Sequence, residues 1–188
     1  MDERVAHPPF GASEDLKQAR DTTPSSPGSL EGCWAGPYRI DALLGQGATG
    51  SVYLGEHPHI GAQVAIKVLH EDVARIPGVS ERFVREARAS NMVDSPHVLH
   101  VRDFGKLDDG RDYAVMDYLR GLPLDSLIES EGPVAPLRAL RLLAQAASGL
   151  AAAHQSGVLH RDIKPSNLFV TVGADGEHIF ILDFGIAK

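Results

Sequence analysis

Three glycines are the first residues whose spacing could do chemistry. Gly45-Gln46-Gly47-Ala48-Thr49-Gly50 fits G-x-G-x-x-G. Without side chains there, backbone N–H groups can approach an anion closely. Two kinds of loop use such glycines. A dinucleotide-binding loop runs from a strand into a helix, with an acidic residue about twenty positions further on. Here the β-prone Ser51-Val52-Tyr53-Leu54 follows, so the turn joins two strands. Taken alone, it reads equally well as a phosphate cradle or a flexible hairpin. Two charges on strands raise the same question. Lys67 interrupts the apolar run Val64 to Val68, and Asp183 stands at the mouth of Phe180-Ile181-Leu182. A lysine so placed is also what an edge charge reaching for water looks like.

The elements that must position these groups follow a simple order. YRIDALLGQG reads as a strand running into the glycine turn, SVYLGEH as a strand leaving it, and AQVAIKVLH as a third. Alternation places Lys67 on one face with Ala65, away from Ile66. Ser80 is a candidate cap for a helix from about Glu81 to Val93, with Phe83, Ala87 and Ser90 on one stripe and Glu86 turned the same way. HVLHVRDFGKL and DYAVMDYL pair around Asp109-Gly110. From Leu124 the pattern becomes helical. LDSLIES precedes a long helix opening at Pro136, which carries Leu140, Leu143, Ala147, Leu150 and His154 at helical spacing and stops at Gly157. NLFVTV and HIFIL form a last hairpin through Ala174-Asp175-Gly176. The fold class expected is α+β, a five-stranded antiparallel lobe with one helix followed by a mainly helical lobe.

Bulk properties narrow the function. The 188 residues carry a net charge of −7, which argues against a nucleic-acid partner but not against a phosphate ligand. A hydrophobic share of 43% and a charged share of 23% are those of a globular domain. Cys33 is the single cysteine, so no disulfide framework is expected. MDERVAHPPF lacks the apolar run of a signal peptide, and ALRLLAQAASGLAAAH is too short and too broken to span a bilayer. A cytoplasmic chain is expected, with a membrane anchor past Lys188 left open. Residues 1–36, rich in Pro, Ser and Gly, read as a disordered tail ahead of a domain at 37–188, with lobes meeting near 119–120. Thr23-Pro24 and Ser26-Pro27 in that tail read as linker or as phosphorylation sites.

Four motifs now stand in one order. Gly45 to Val52 is followed by Val64-Ala65-Ile66-Lys67, then His160-Arg161-Asp162-Ile163-Lys164-Pro165-Ser166-Asn167, then Asp183-Phe184-Gly185. In this order and on these elements the chain resembles the eukaryotic-type protein kinases, and among them the bacterial serine/threonine kinases, from about Tyr38 to its last residue.

The resemblance implies ATP and Mg2+ as cofactors, protein Ser/Thr hydroxyls as acceptors, and a two-lobe fold. It implies that Lys67 holds the α- and β-phosphates and pairs with Glu86, although an Arg82–Glu86 surface pair is the other reading. Asp162 would orient the attacking hydroxyl and accept its proton. Lys164 would stand near the transferring phosphate, and Asn167 and Asp183 would hold the metal. His160 would be structural, and Arg161 would face an activation-loop phosphate. Gly45, Gly47 and Gly50 would cradle phosphates. Leu44, Val52 and Ala65 would roof the adenine slot and Phe169 floor it, a departure from the usual aliphatic floor. Met116 would be the gatekeeper, and the backbone of Asp117 and Leu119 would hold the adenine edge. The activation loop, the peptide platform and later helices of the large lobe lie beyond these motifs, so a fragment of a longer kinase is expected. The long helix would then show an apolar face to a covering partner. The alternative reading is a truncated nucleotide-binding or regulatory module without transfer activity.

Overall fold

The structure, a computed structural model, describes residues 29–184. The tail before Ser29, with Thr23 and Ser26, and Gly185 at the other end lie outside the described residues. The first lobe is one antiparallel sheet of β1 (Trp34–Ala35), β2 (Tyr38–Gln46), β3 (Gly50–His57), β4 (Ala62–Leu69), β5 (Val101–Lys106) and β6 (Asp112–Asp117). Its strand order is β1-β2-β3-β4-β6-β5. A short helix α1 (Glu71–Ala74) precedes α2 (Val79–Asn91). The second lobe has β7 (Gly121–Pro123), α3 (Leu124–Glu131), α4 (Pro136–Gln155), a 3-10 turn at Pro165–Asn167, and the hairpin β8 (Leu168–Gly173) and β9 (Gly176–Ile181). Its small sheet is ordered β7-β8-β9.

The first lobe has six strands rather than the five expected, and order begins before Tyr38. Leu30 and Ala35 are buried in the sheet's core beside Ile40, Tyr53, Ile66 and Val115. A two-residue strand has no period for a sequence to display, so its polar neighbourhood hides it. The helix over the cleft starts at Val79 and not after a Ser80 cap. Gly78, at φ 82°, leads into it without a side-chain cap.

Alternation sorts the core. Ile40, Tyr53, Val64, Ile66, Val68, Tyr113 and Val115 fill one face of the sheet, as period-two strands require. On the other face Leu69, Ala114 and Phe104 meet Phe83 of α2. A third cluster crosses between the lobes. Ala89 of α2, Val93 just past its end and Val98 pack with Leu142, Ala146, Ala153, Leu168, Val170, Ile179, Ile181 and Phe184.

The stripe of α4 that turns inward is not the leucine stripe picked out by spacing. Leu142, Ala146, Gly149 and Ala153 are the buried positions. Leu140 and Leu143 are 65% and 53% exposed, with Leu137 beside them at 61%. Small residues win the inward face because β9 approaches the helix closely. A Cβ on Gly149 would lie 2.8 Å from Ile181 Cδ1 and 3.0 Å from His97 Cβ. Gln145 fastens the same contact, donating to Glu177 O at 3.0 Å and accepting from Ile179 N–H at 3.0 Å.

Gly149→Ala is therefore expected to lower stability by about 1–3 kcal/mol through overpacking, although alanine is the better helix former by about 1 kcal/mol. Chemical denaturation measures the sign. An unchanged or raised midpoint would show that α4 and β9 do not meet as described.

Candidate active site

The roof of the cleft follows from strand register. Val64, Ile66 and Val68 enter the sheet core, so Ala65 and Lys67 face the other way. Ala65 lies across from Leu54 and Met116, and Lys67 across from Val52 and Ala114. Directly opposed residues share a face, so Val52, Ala65 and Met116 make one apolar surface that ends in the ammonium of Lys67. Leu44, buried, sits at the register shift between Leu43 and Gly45. Across the glycine turn, Gly47 N–H donates to Gly50 O at 2.8 Å. On the second lobe Leu168 and Val170 enter the shared core, which turns the buried Phe169 to the opposite face. The segment joining the lobes begins at Asp117, whose carboxylate is gripped by both Nε and Nη2 of Arg102. That pair turns the Asp117 side chain outward. At Leu119, as at Asp117, the role expected from the resemblance belongs to the backbone.

The residues of the catalytic-loop motif converge below. Val158 and His160 are buried. His160 Nε2 donates to Leu182 O at 2.8 Å, and its Nδ1 accepts from Asp162 N–H at 3.3 Å. A ring that donates at one nitrogen and accepts at the other is neutral, so His160 stands here as a structural group. Asn167 Nδ2 donates to Asp162 O at 2.8 Å and to Asp162 Oδ2 at 3.2 Å. With its nitrogen committed, the amide offers its oxygen. Leu182 N–H donates to Asn167 O at 2.9 Å, which brings Asp183 beside Asn167. Lys164 Nζ is 2.9 Å from Asp162 Oδ2.

Lys67 forms its ion pair with Asp183, Nζ to Oδ2 at 2.7 Å. The pairing expected between Lys67 and Glu86 is not formed, and neither is an Arg82–Glu86 bridge, among the described residues. Glu86 still feels the site. Burial raises its pKa above the ordinary carboxylate value, and Lys67 opposes that without cancelling it. At Asp183, crowding by protein pushes the pKa up, but the charge and hydrogen bond of Lys67 outweigh it and the carboxyl sits low. The Asp183 side chain is 54% exposed to the open cleft, so solvent screening softens both effects. The Lys164 ammonium is shifted up by its hydrogen bond to Asp162. An amide oxygen at Asn167 and a carboxylate at Asp183 are donors that suit a hard divalent cation.

Several contacts that shape the site had no signal in the sequence. The Arg102 grip on Asp117 joins neighbouring strands, and the Ser51–His70 hydrogen bond of 3.0 Å joins β3 to the end of β4. Two grooves of about 390 and 700 Å³ lie along α2 and β5; the first reaches Asp117, and neither is lined by Lys67, Asp162, Lys164, Asn167 or Asp183.

The protein kinase domain family matches residues 38–188, and the chain belongs to that family. It is 46% identical over 153 residues to the serine/threonine-protein kinase Pkn2 of Myxococcus xanthus, a match covering 81% of this chain and 18% of that protein. It is 40% identical over 160 residues to the serine/threonine-protein kinase PknE of Mycobacterium tuberculosis, covering 85% and 28%. The crystal structure of the Mycobacterium tuberculosis PknI kinase domain matches with a TM-score of 0.68 at 34% identity, over 84% of this chain and 63% of that one. The chain thus spans 18–28% of the length of those two curated relatives. No helix among the described residues is long and apolar enough to cross a membrane.

The neutral His160 gives the site an acid limit. Burial lowers its pKa below the ordinary 6.5. The unfolded chain therefore binds the proton first, and His160 costs stability as pH falls from that value through its native one. Asp183 acts in the same direction in the lower, carboxylate range, whereas Glu86, with its raised pKa, gains stability on acidification. In melting curves between pH 7.5 and 5, His160→Phe is expected to lose less on acidification than the native chain. Equal losses in the two would show that His160 is not held neutral.

Proposed function

We propose that the chain is the ATP-binding and phosphoryl-transfer portion of a serine/threonine protein kinase that acts on protein hydroxyls. One observation carries this reading. The path Lys67–Asp183, Leu182–Asn167, Asn167–Asp162 and Asp162–Lys164 joins the charged groups that such a transfer needs into a single cluster. The names of the relatives support the same reaction class.

In this reading the serine or threonine oxygen attacks the γ-phosphorus, the bond to the bridging oxygen breaks, and ADP leaves. Asp162 orients the hydroxyl and takes its proton. Lys164, next to Asp162, brings positive charge to the point where negative charge moves, and Lys67 holds the phosphates that stay on ADP. The backbone N–H groups of Gly45 to Gly50 cradle the same phosphates. Val52, Ala65, Met116, Leu44 and Phe169 enclose the adenine, and the backbone of Asp117 and Leu119 meets its edge. Asn167 and Asp183 would hold Mg2+, which when bound neutralises phosphate charge. Glu86 would join Lys67 once Asp183 is engaged elsewhere. Arg161 would face a phosphorylated segment further along the parent chain. A cytoplasmic location, where ATP is supplied, goes with this reading.

Phosphate transfer from ATP to a generic basic protein, measured on the 188-residue chain, tests it. Transfer is expected, with a loss of at least ~100-fold on Asp162→Asn and a comparable loss on Lys67→Met. ATP binding without transfer in the native chain would favour a nucleotide-binding module instead.

A further inference from the structure

We propose that His70 is a positioning residue for the glycine turn, clamping it from behind so that its N–H groups are presented to the nucleotide's triphosphate. The inference rests on the phosphoryl-transfer reading above. His70 follows β4 directly, on the strand that carries Lys67. Its backbone N–H donates to Thr49 O at 3.1 Å, and its ring Nε2 shares a hydrogen bond with Ser51 Oγ at 3.0 Å. One residue thus holds the chain on both sides of Gly50.

Gly50 lets the clamp close. A Cβ there would lie 2.3 Å from Val68 O, so only glycine lies this flat on β4. Ser51 is the cross-strand partner of Val68, while Val52 is that of Lys67. Ser51 therefore points to the core face, and it is only 3% exposed. His70 meets it there, on the side of the sheet away from Lys67. The ring consequently acts through the loop and not by touching the nucleotide. On the β2 side, Gly45 and Gln46 pair only with Val52 and Ser51. The turn is thus pinned at Thr49 to Ser51, and Gly47 is tied to that anchor by its N–H bond to Gly50 O at 2.8 Å, so His70 sets how far the cradle stands from Lys67.

Titration of the 188-residue chain with Mg-ATP and, separately, with adenosine tests the proposal. His70→Ala and Ser51→Ala are each expected to weaken ATP about five- to tenfold, the worth of one lost hydrogen bond, and to leave adenosine unchanged. The double variant should be no weaker than either single one, and His70→Gln, which keeps a polar atom at similar reach, should recover most of the loss. Unchanged ATP affinity in both single variants would overturn the clamp, as would equal losses for ATP and adenosine, which mark general damage. A native chain that binds neither ligand would sink the phosphoryl-transfer reading itself, and the clamp with it.

Discussion

The backbone of Ile181 is hydrogen-bonded on both sides to the loop that follows α2. Its N–H donates to His97 O at 2.7 Å, and its carbonyl accepts from Leu99 N–H at 3.1 Å. Two imidazoles repeat the exchange with side chains. His97 Nδ1 donates to Ile179 O at 3.1 Å, His178 Nε2 donates to Pro96 O at 2.9 Å, and the rings stack at 4.5 Å. Each bond contributes only about 1 kcal/mol net, but all of them lie in one short parallel seam, with Val98 opposite Ile181. The seam binds the end of the helix bearing Glu86 to the strand that delivers Asp183. The core it covers, from Ala89 and Val93 to Phe184, is shared by both lobes.

Given that rigid delivery, the cleft becomes a competition among charges. Lys67 is one cation facing two carboxylates. Asp183 at 2.7 Å takes the ion pair, while Glu86 remains half-buried with a raised pKa. Attraction falls with distance and desolvation charges a fixed cost, so the nearer and wetter carboxylate wins. In the proposed reading, drawing Asp183 toward another positive charge would free Lys67 for Glu86. The raised pKa of Glu86 records the cost of leaving it unpaired in the meantime.

Much of this was readable from sequence where a local period or a motif reported on a local event. The face of Lys67 followed from alternation, and Met116, Val52 and Ala65 fell together because strand register obeys the same alternation. What escaped depended on distant partners. Leu140 and Leu143 have the spacing of a buried stripe, but only the smaller row with Gly149 lets β9 approach. Helical spacing cannot rank two apolar rows without knowing the neighbour. Leu30 and Ala35 looked like tail because a two-residue strand draws its stability from Arg39 and Tyr38 opposite and not from itself. The Lys67–Glu86 pairing implied by the resemblance is not formed in this arrangement, where Lys67 pairs with Asp183; the resemblance states which charges meet in one arrangement of the cleft, and the sequence is the same in every arrangement.

Two non-glycine residues with positive φ show what the interior of the second lobe is for. Arg161 is at φ 63° and Asp183 at φ 45°, conformations that cost of order 1–3 kcal/mol each and persist only where surroundings over-determine them. One imidazole supplies much of that determination. His160 accepts from the N–H of Asp162, the residue after the first strained position, and donates to the carbonyl of Leu182, the residue before the second. Its ring also packs against Phe184 at 4.8 Å, and Phe184 is buried to 1% exposure. Both strained turns are thus referred to one rigid ring seated in the core. Protonating Nδ1 would remove its acceptor and release the Asp162 backbone, so burial that keeps His160 neutral also keeps the two turns in register. The distance between Asp162 and Asp183 is therefore set by packing around His160.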